Sequence, residues 1–215
     1  MKLLVLGATG RSGRLIVQKA LKDGHQVTAI VRDPAKVGET RAELVQGTPY
    51  DYETIEKAIE GCDAVICTLN VSRTSDNPWA KLRAPKDLIS RSVAHALKAM
   101  GQKNVKRIIT LSVLGAGDSK KSMPVGFNFF ISLTNLKYAF RDHERQEELL
   151  ADSNTDWTAI RLPMLSDAVG EAESLVNMGD GKLKNKINRE SVARFVLSIL
   201  DEPQYYKKIV AISNA

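Results

Sequence analysis

The run Lys2-Leu3-Leu4-Val5-Leu6 followed by Gly7-Ala8-Thr9-Gly10-Arg11-Ser12-Gly13 decides the fold. A short aliphatic stretch enters a glycine turn spaced Gly-x-x-Gly-x-x-Gly. An amphipathic stretch from Arg14 to Leu21 then stops at Asp23-Gly24, so the segment reads strand, turn, helix. In that setting each glycine has a physical task. Gly7 permits the tight turn out of the strand, Gly10 lets backbone approach a pyrophosphate, and Gly13 lets the helix pack close against the sheet. The helix N-terminus then offers free N–H groups and a partial positive charge to the phosphates. A glycine-rich turn without a ligand is the bland alternative, and the position of the motif in an alternating chain argues against it.

The alternation continues outward. Gln26 to Val31, Glu43 to Gln46, Ala64 to Leu69, Arg107 to Leu111 and Trp157 to Leu162 read as strands. The stretches Tyr52 to Ile59, Pro85 to Met100 and Leu136 to Leu150 read as helices. Continuously apolar strands separated by helices predict an α/β fold, a doubly wound and mostly parallel sheet covered on both faces. Beyond Pro163 the pattern loosens, and a helix from Arg189 to Leu200 opened by Asn188 and a last strand from Lys208 to Ile212 complete it. The 215 residues suit one NAD(P)-binding domain spanning 1–215. Its two least regular segments, 112–135 and 164–186, are the expected substrate side.

Apolar residues make up 43% and charged residues 26% of the chain, which excludes a disordered, collagen-like or disulfide-scaffold protein. No apolar run approaches the roughly 18 residues of a membrane helix, and the opening reaches Gly7 before a signal-peptide core forms. With Cys62 and Cys67 read as buried, reduced thiols, the expectation is a cytoplasmic protein with no membrane partner. The formal charge is +6, but the basic residues are scattered and no nucleic-acid motif accompanies them. The charge therefore points to an anionic small ligand rather than DNA or RNA. No spacing of Cys, His, Asp or Glu calls for a metal.

The end of the second strand selects the cofactor. An acidic residue there bonds a ribose 2′-hydroxyl, whereas arginine pairs with a 2′-phosphate. The strand runs into Arg32, whose guanidinium makes charge-assisted bonds to phosphate. NADP(H) is thus favoured, with Asp33 the residue that reverses the preference if it faces the ribose.

The GATGRSG turn, VRDP after the second strand, DAVI at Asp63 to Ile66, LSVLG after the fifth strand and DWTAIRLP at Asp156 to Pro163 together carry a resemblance to the atypical short-chain dehydrogenases/reductases. The chain most resembles the NAD(P)H-binding flavin reductase/biliverdin-IXβ reductase group, with NmrA-like sensors as cousins. The resemblance implies phosphate contacts from Thr9, Arg11 and Ser12 and 2′-phosphate contact from Arg32. It also implies cofactor contacts from Thr68 and Leu69, with Ser112 near the nicotinamide. Where the family often has Gly-Asp after the third strand, this chain has Gly47-Thr48, which opens the question of the adenine contacts.

Short-chain dehydrogenases that act on ketones use Tyr-x-x-x-Lys on the fifth helix. No tyrosine here has lysine four residues on, and the corresponding places hold Ala139 and His143. A flat conjugated acceptor of the flavin, biliverdin or quinone type carries its own electron sink and does not need the pair. His143 is read either as a group titrating near neutrality at the site or as an exposed helix residue. Ser112 is read as a group at the carboxyl edge of the sheet or as a turn serine. Phe127, Phe129 and Phe130, with Met123, are read as an apolar lid or as a buried patch. The expected function is an NADPH-dependent reductase of a small-molecule acceptor, with flavin a leading candidate. The alternative is a non-catalytic NADP(H)-binding sensor.

Overall fold

The computed structural model describes residues 1–168, 170, 174–178 and 183–215. In chain order the elements are β1 (Lys2–Leu6), α1 (Arg11–Lys22), β2 (Gln26–Val31), β3 (Glu43–Gln46), α2 (Tyr52–Ala58), β4 (Ala64–Cys67), α3 (Leu88–Lys103) and β5 (Arg107–Val113). They continue with α4 (Val125–Leu133), α5 (Leu136–Ala151), β6 (Asp156–Leu162), β7 (Met164–Ser166), β8 (Ser174–Asn177), β9 (Lys186–Asn188), α6 (Arg189–Ser198) and β10 (Lys208–Asn214).

An eight-stranded sheet has the order β3-β2-β1-β4-β5-β6-β10-β8. All neighbours run parallel except β8, which lies antiparallel along β10. From β1 the chain winds one way through β2 and β3, then returns to place β4 on the other side of β1. That reversal opens a crevice beyond the carboxyl ends of β1 and β4, where doubly wound sheets bind ligands.

The two-residue period of the strands divides the core. Leu3 and Val5 face Ile16, Val17 and Ala20 of α1 and Val192 and Val196 of α6. Leu4 and Leu6 face Ile55 of α2, Val93 and Met100 of α3 and Leu150 of α5. Both sets are buried, so truncating Leu4 to alanine costs about 2–5 kcal/mol. Arg107 looks out of place at the start of β5. Its Nε donates to the Leu200 carbonyl at 2.9 Å and its Nη2 to that of Ile199 at 2.8 Å, closing the carboxyl end of α6. Burial pulls its pKa down to about 10, so it is still a cation at neutral pH, where a helix C-terminus favours one.

Several expectations shift. The segment 112–135 is not irregular throughout, because α4 fills its second half. Ser112 lies within β5, which runs two residues beyond the expected Leu111. Between 164 and 186 the chain makes β7 and the edge strand β8, and residues 169, 171–173 and 179–182 of that expected substrate-side segment lie outside the described residues. Both cysteines are free and buried.

Candidate functional site

The glycine loop is built by exclusion. Gly7 has φ +85°, and a Cβ there would sit 2.7 Å from Thr68 Oγ1. A Cβ at Gly13 would lie 2.2 Å from the Gly7 carbonyl oxygen, so α1 can cross the turn this closely only with glycine at both places. Gly10 is different. Its N–H donates to the Gly7 carbonyl at 2.9 Å, yet the nearest atom to a Cβ there would be that same oxygen at 3.2 Å. That oxygen is the one atom near such a Cβ, a tight contact, and a side chain beyond it would fill the cradle outside the turn.

The amino end of α1 has Gly10 as its cap, no side-chain acceptor and no acidic residue in the first turn, while Lys19 and Lys22 occupy the last. Two other helices, α6 and α3, have theirs closed by side chains. Asn188 caps α6 by accepting from the Ser191 N–H at 2.7 Å, and Asp142 of α5 reaches across to accept from the N–H groups of Ile89 and Ser90 at the head of α3. The N–H groups of α1 are left for an anion. This uncapped end and the cradle at Gly10 fit a pyrophosphate.

Thr68 and Leu69 follow β4 beside this turn. The Thr68 hydroxyl bonds the carbonyls of Leu6 and Gly7 at 3.1 Å each, fastening the loop to its neighbouring strand, and Leu69 packs half-buried on the α2–α3 side of the core. Arg32 is exposed at the end of β2. Asp33, the rival residue, is occupied: its carboxylate accepts from the Ala35 N–H at 3.2 Å and pairs with Lys36 at 3.0 Å. Arg11 extends from the first turn of α1 into ion pairs with Asp76 at 3.2 Å and Asp167 at 3.6 Å, all three exposed. Thr9 is exposed and Ser12 half-buried on the same turn.

At the carboxyl edge of β5 and β6 stands a buried polar cluster that sequence reasoning missed. Ser112 and Arg161 are register partners on adjacent strands. Ser112 donates to Glu147 Oε1 at 2.6 Å, and Arg161 grips the same carboxylate with Nε at 3.0 Å and Nη2 at 2.7 Å. Arg161 also meets Asp118 at 2.6 Å, on the turn before α4. Burial works against the guanidinium's charge, but the carboxylates of Glu147 and Asp118 outweigh it and raise its pKa. The only sequence signal was a glutamate on the inward stripe Ala139, His143, Glu147.

His143 corrects both readings made of it. It is buried at 5% exposure, neither an exposed helix residue nor a group titrating near neutrality. Desolvation pushes its pKa down to about 4, so the imidazole is neutral at pH 7, and its Nδ1 has no hydrogen-bond partner among the described residues. The phenylalanines correct the buried-patch reading. Phe129 is well exposed and Phe127 and Phe130 partly so, while Met123 lies half-buried against Gly115. No group of His, Cys, Asp and Glu suited to a metal occurs among the described residues.

The match to known proteins follows these features. A family model described as NAD(P)H-binding covers residues 7–203. The chain belongs to this NAD(P)H-binding family. Its cofactor is accordingly NAD(P)H. Relatives of this NAD(P)H-binding protein include the Photosystem II assembly factor Ycf39 of Synechocystis sp., 26% identical with 94% of this chain and 59% of the relative covered. The phenylcoumaran benzylic ether reductase Betv6 of Betula pendula is 24% identical, with 100% of this chain and 69% of the relative covered. The chain thus spans well under the full length of these relatives. Among solved structures, ChuY, an anaerobillin reductase from Escherichia coli O157:H7, superposes with a TM-score of 0.82 at 17% identity, covering 100% of this chain and 97% of that one. A short-chain dehydrogenase/reductase from Veillonella parvula in complex with NADP gives 0.79 at 18% identity, covering 99% and 94%. At these identities the structural likeness speaks for the fold, an NAD(P)-binding Rossmann sheet.

Proposed function

We propose that the chain is an NADPH-dependent reductase, one domain over 1–215, that passes hydride to a flat conjugated acceptor of the flavin, biliverdin or quinone type. The bound nicotinamide supplies the hydride. Gly7, Gly10 and Gly13 with the open head of α1, together with Thr9, Arg11 and Ser12, hold the pyrophosphate. Arg32 takes the 2′-phosphate, and Thr68 and Leu69 shape the wall beyond β4.

The observation that carries the acceptor class is the state of Ser112. Its hydroxyl proton is committed to Glu147 at 2.6 Å, and the buried stripe of α5 that carries Glu147 also carries Ala139 and the neutral His143. Among the described residues, that stripe holds no group built to deliver a proton to a developing alkoxide, which simple ketones require. Ser112 positions its neighbours through Glu147, and His143 offers a neutral ring. An acceptor whose conjugated system takes up the charge is served by this arrangement. ChuY is named an anaerobillin reductase and the Betula relative a phenylcoumaran benzylic ether reductase, and both names support a reductase of a small molecule.

The same locked serine favours a second reading, a non-catalytic NADP(H)-binding sensor. NADPH oxidation measured against flavins, quinones, biliverdins and simple ketones separates the two. Turnover of a conjugated acceptor with kcat/KM far above that for ketones is the expected result. Efficient ketone turnover overturns the acceptor class, and tight NADPH binding with no turnover of any acceptor assigns the sensor.

A further inference from the structure

Helix α4 carries Val125, Phe129 and Leu133 on one ridge, at 85%, 64% and 59% exposure, and beside them Trp79 at 61%. Spaced at i, i+4 and i+8, the three helix residues point the same way. The patch is held together. Trp79 packs edge-on against Phe130, with centroids 5.7 Å apart, and Asn135 ties the Trp79 loop to the α4–α5 junction by donating from Nδ2 to the carbonyls of Trp79 and Ala80 at 3.0 and 3.1 Å. Apolar side chains this exposed on one short helix mark a surface that meets something.

The charge around it says what. Lys120 and Lys121 precede α4, and Lys81 and Arg83 follow Trp79, all exposed. None of the four enters an ion pair among the described residues. Asp118, the acid closest in sequence before α4, is held by Arg161 at 2.6 Å. We infer that this face docks on an anionic lipid surface, α4 and Trp79 entering the headgroup layer while the four cations meet lipid phosphates. Tryptophan and phenylalanine wedged among lysines are the composition of an interfacial contact, in which apolar insertion and charge attraction are each weak and act together. No described helix is long and apolar enough to cross a membrane, so the contact is peripheral. The sequence expectation of no membrane partner rested on spanning length and did not weigh this face. A second copy of the chain fits less well, because a two-fold contact through the same patch brings both sets of lysines together. The inference stands apart from the choice of acceptor.

The test is co-sedimentation of the full chain with vesicles of phosphatidylcholine alone and of equal parts phosphatidylcholine and phosphatidylglycerol. Binding is expected to the second and not the first, falling as salt rises. The protein has two tryptophans, and Trp157 is buried, so a blue shift of emission on binding reports Trp79. Val125→Ser with Phe129→Ser is expected to abolish binding. Lys120→Gln with Lys121→Gln is expected to lower it about fivefold for each charge removed. Neither pair touches the glycine loop, and unchanged NADPH affinity confirms that the variants are folded. Absence of binding to the anionic vesicles, equal binding to both vesicles, or binding that survives the serine variant overturns the proposal. A dimer in sedimentation equilibrium that the serine variant dissolves, without vesicle binding, assigns the face to a second copy instead.

Discussion

Glu147 and Arg161 meet as a two-pronged ion pair closed off from solvent, one donor to each carboxylate oxygen at 3.0 and 2.7 Å. Removing one partner strands the other charge in the interior. Arg161→Ala is expected to destabilise the protein by about 3–5 kcal/mol, lowering Tm by on the order of 10 °C for a chain of this size. Thermal unfolding followed by circular dichroism checks it, and a shift within a degree or two refutes the burial argument.

Ser112→Ala is milder. The substitution removes one hydrogen bond to a carboxylate that keeps both contacts to Arg161, a loss of about 1.5–3 kcal/mol at most. If Ser112 only positions its neighbours, turnover of a conjugated acceptor falls modestly while NADPH affinity holds. A collapse of kcat by several orders of magnitude makes the hydroxyl a proton donor and contradicts the mechanism.

His143 gives the stability curve a specific feature. Its folded pKa of about 4 lies below the roughly 6.5 of an unfolded histidine. As pH falls through the window from 6.5 to 4, the unfolded chain takes up a proton that the folded chain refuses, and stability is lost. The contribution is complete above pH 6.5 and amounts to about 3 kcal/mol. Urea unfolding across this window is expected to show a steeper slope for the natural protein than for His143→Leu. Parallel curves count against a buried neutral imidazole.

Gly10 and Gly13 separate binding from folding. Gly10→Val presses its Cβ to 3.2 Å from the Gly7 oxygen and puts its branches where phosphate belongs, so NADPH binding is abolished while Tm falls far less than for Gly13→Val. Gly13→Val drives a carbon to 2.2 Å from the Gly7 oxygen and unfolds the turn itself. Isothermal titration beside thermal melts distinguishes them, and unchanged NADPH affinity in the Gly10 variant relocates the phosphate site.

Arg32 is expected to set cofactor preference, because Asp33 is spent on Ala35 and Lys36. Arg32→Ala removes a charge-assisted contact worth about 1.5–3 kcal/mol, a tenfold to hundredfold loss for NADP(H) with little change for NAD(H). Equal titration curves for the two cofactors in the natural protein dispose of the claim.

The strands and the glycine turn were legible because each rests on local periodicity: Leu3 to Leu6 bury on both faces and read as one apolar run, and Gly7 to Gly13 keep their spacing. The polar cluster was not legible. Ser112, Glu147 and Arg161 come from three separate elements, and only the pairing of β5 with β6 reveals that Ser112 and Arg161 share an edge. His143 misled for a related reason. Its neighbours Asp142 and Glu144 suggest a solvated face, but Asp142 is turned inward to the head of α3, and the imidazole follows it under cover. Helix α4 defeated pattern reading because its apolar residues face outward, where periodicity expects polar ones.

Asp142 lies 53 residues beyond the amide of Ile89 that it caps at 2.7 Å. Because α3 has no acceptor of its own at that end, its first turn is completed only once α5 has docked. The two helices therefore open as one cooperative unit. The amide protons of Ile89 and Ser90 should exchange with solvent at the rate set by release of α5, so a single pair of backbone hydrogens near the middle of the chain serves as a clock for the loosening of its second half.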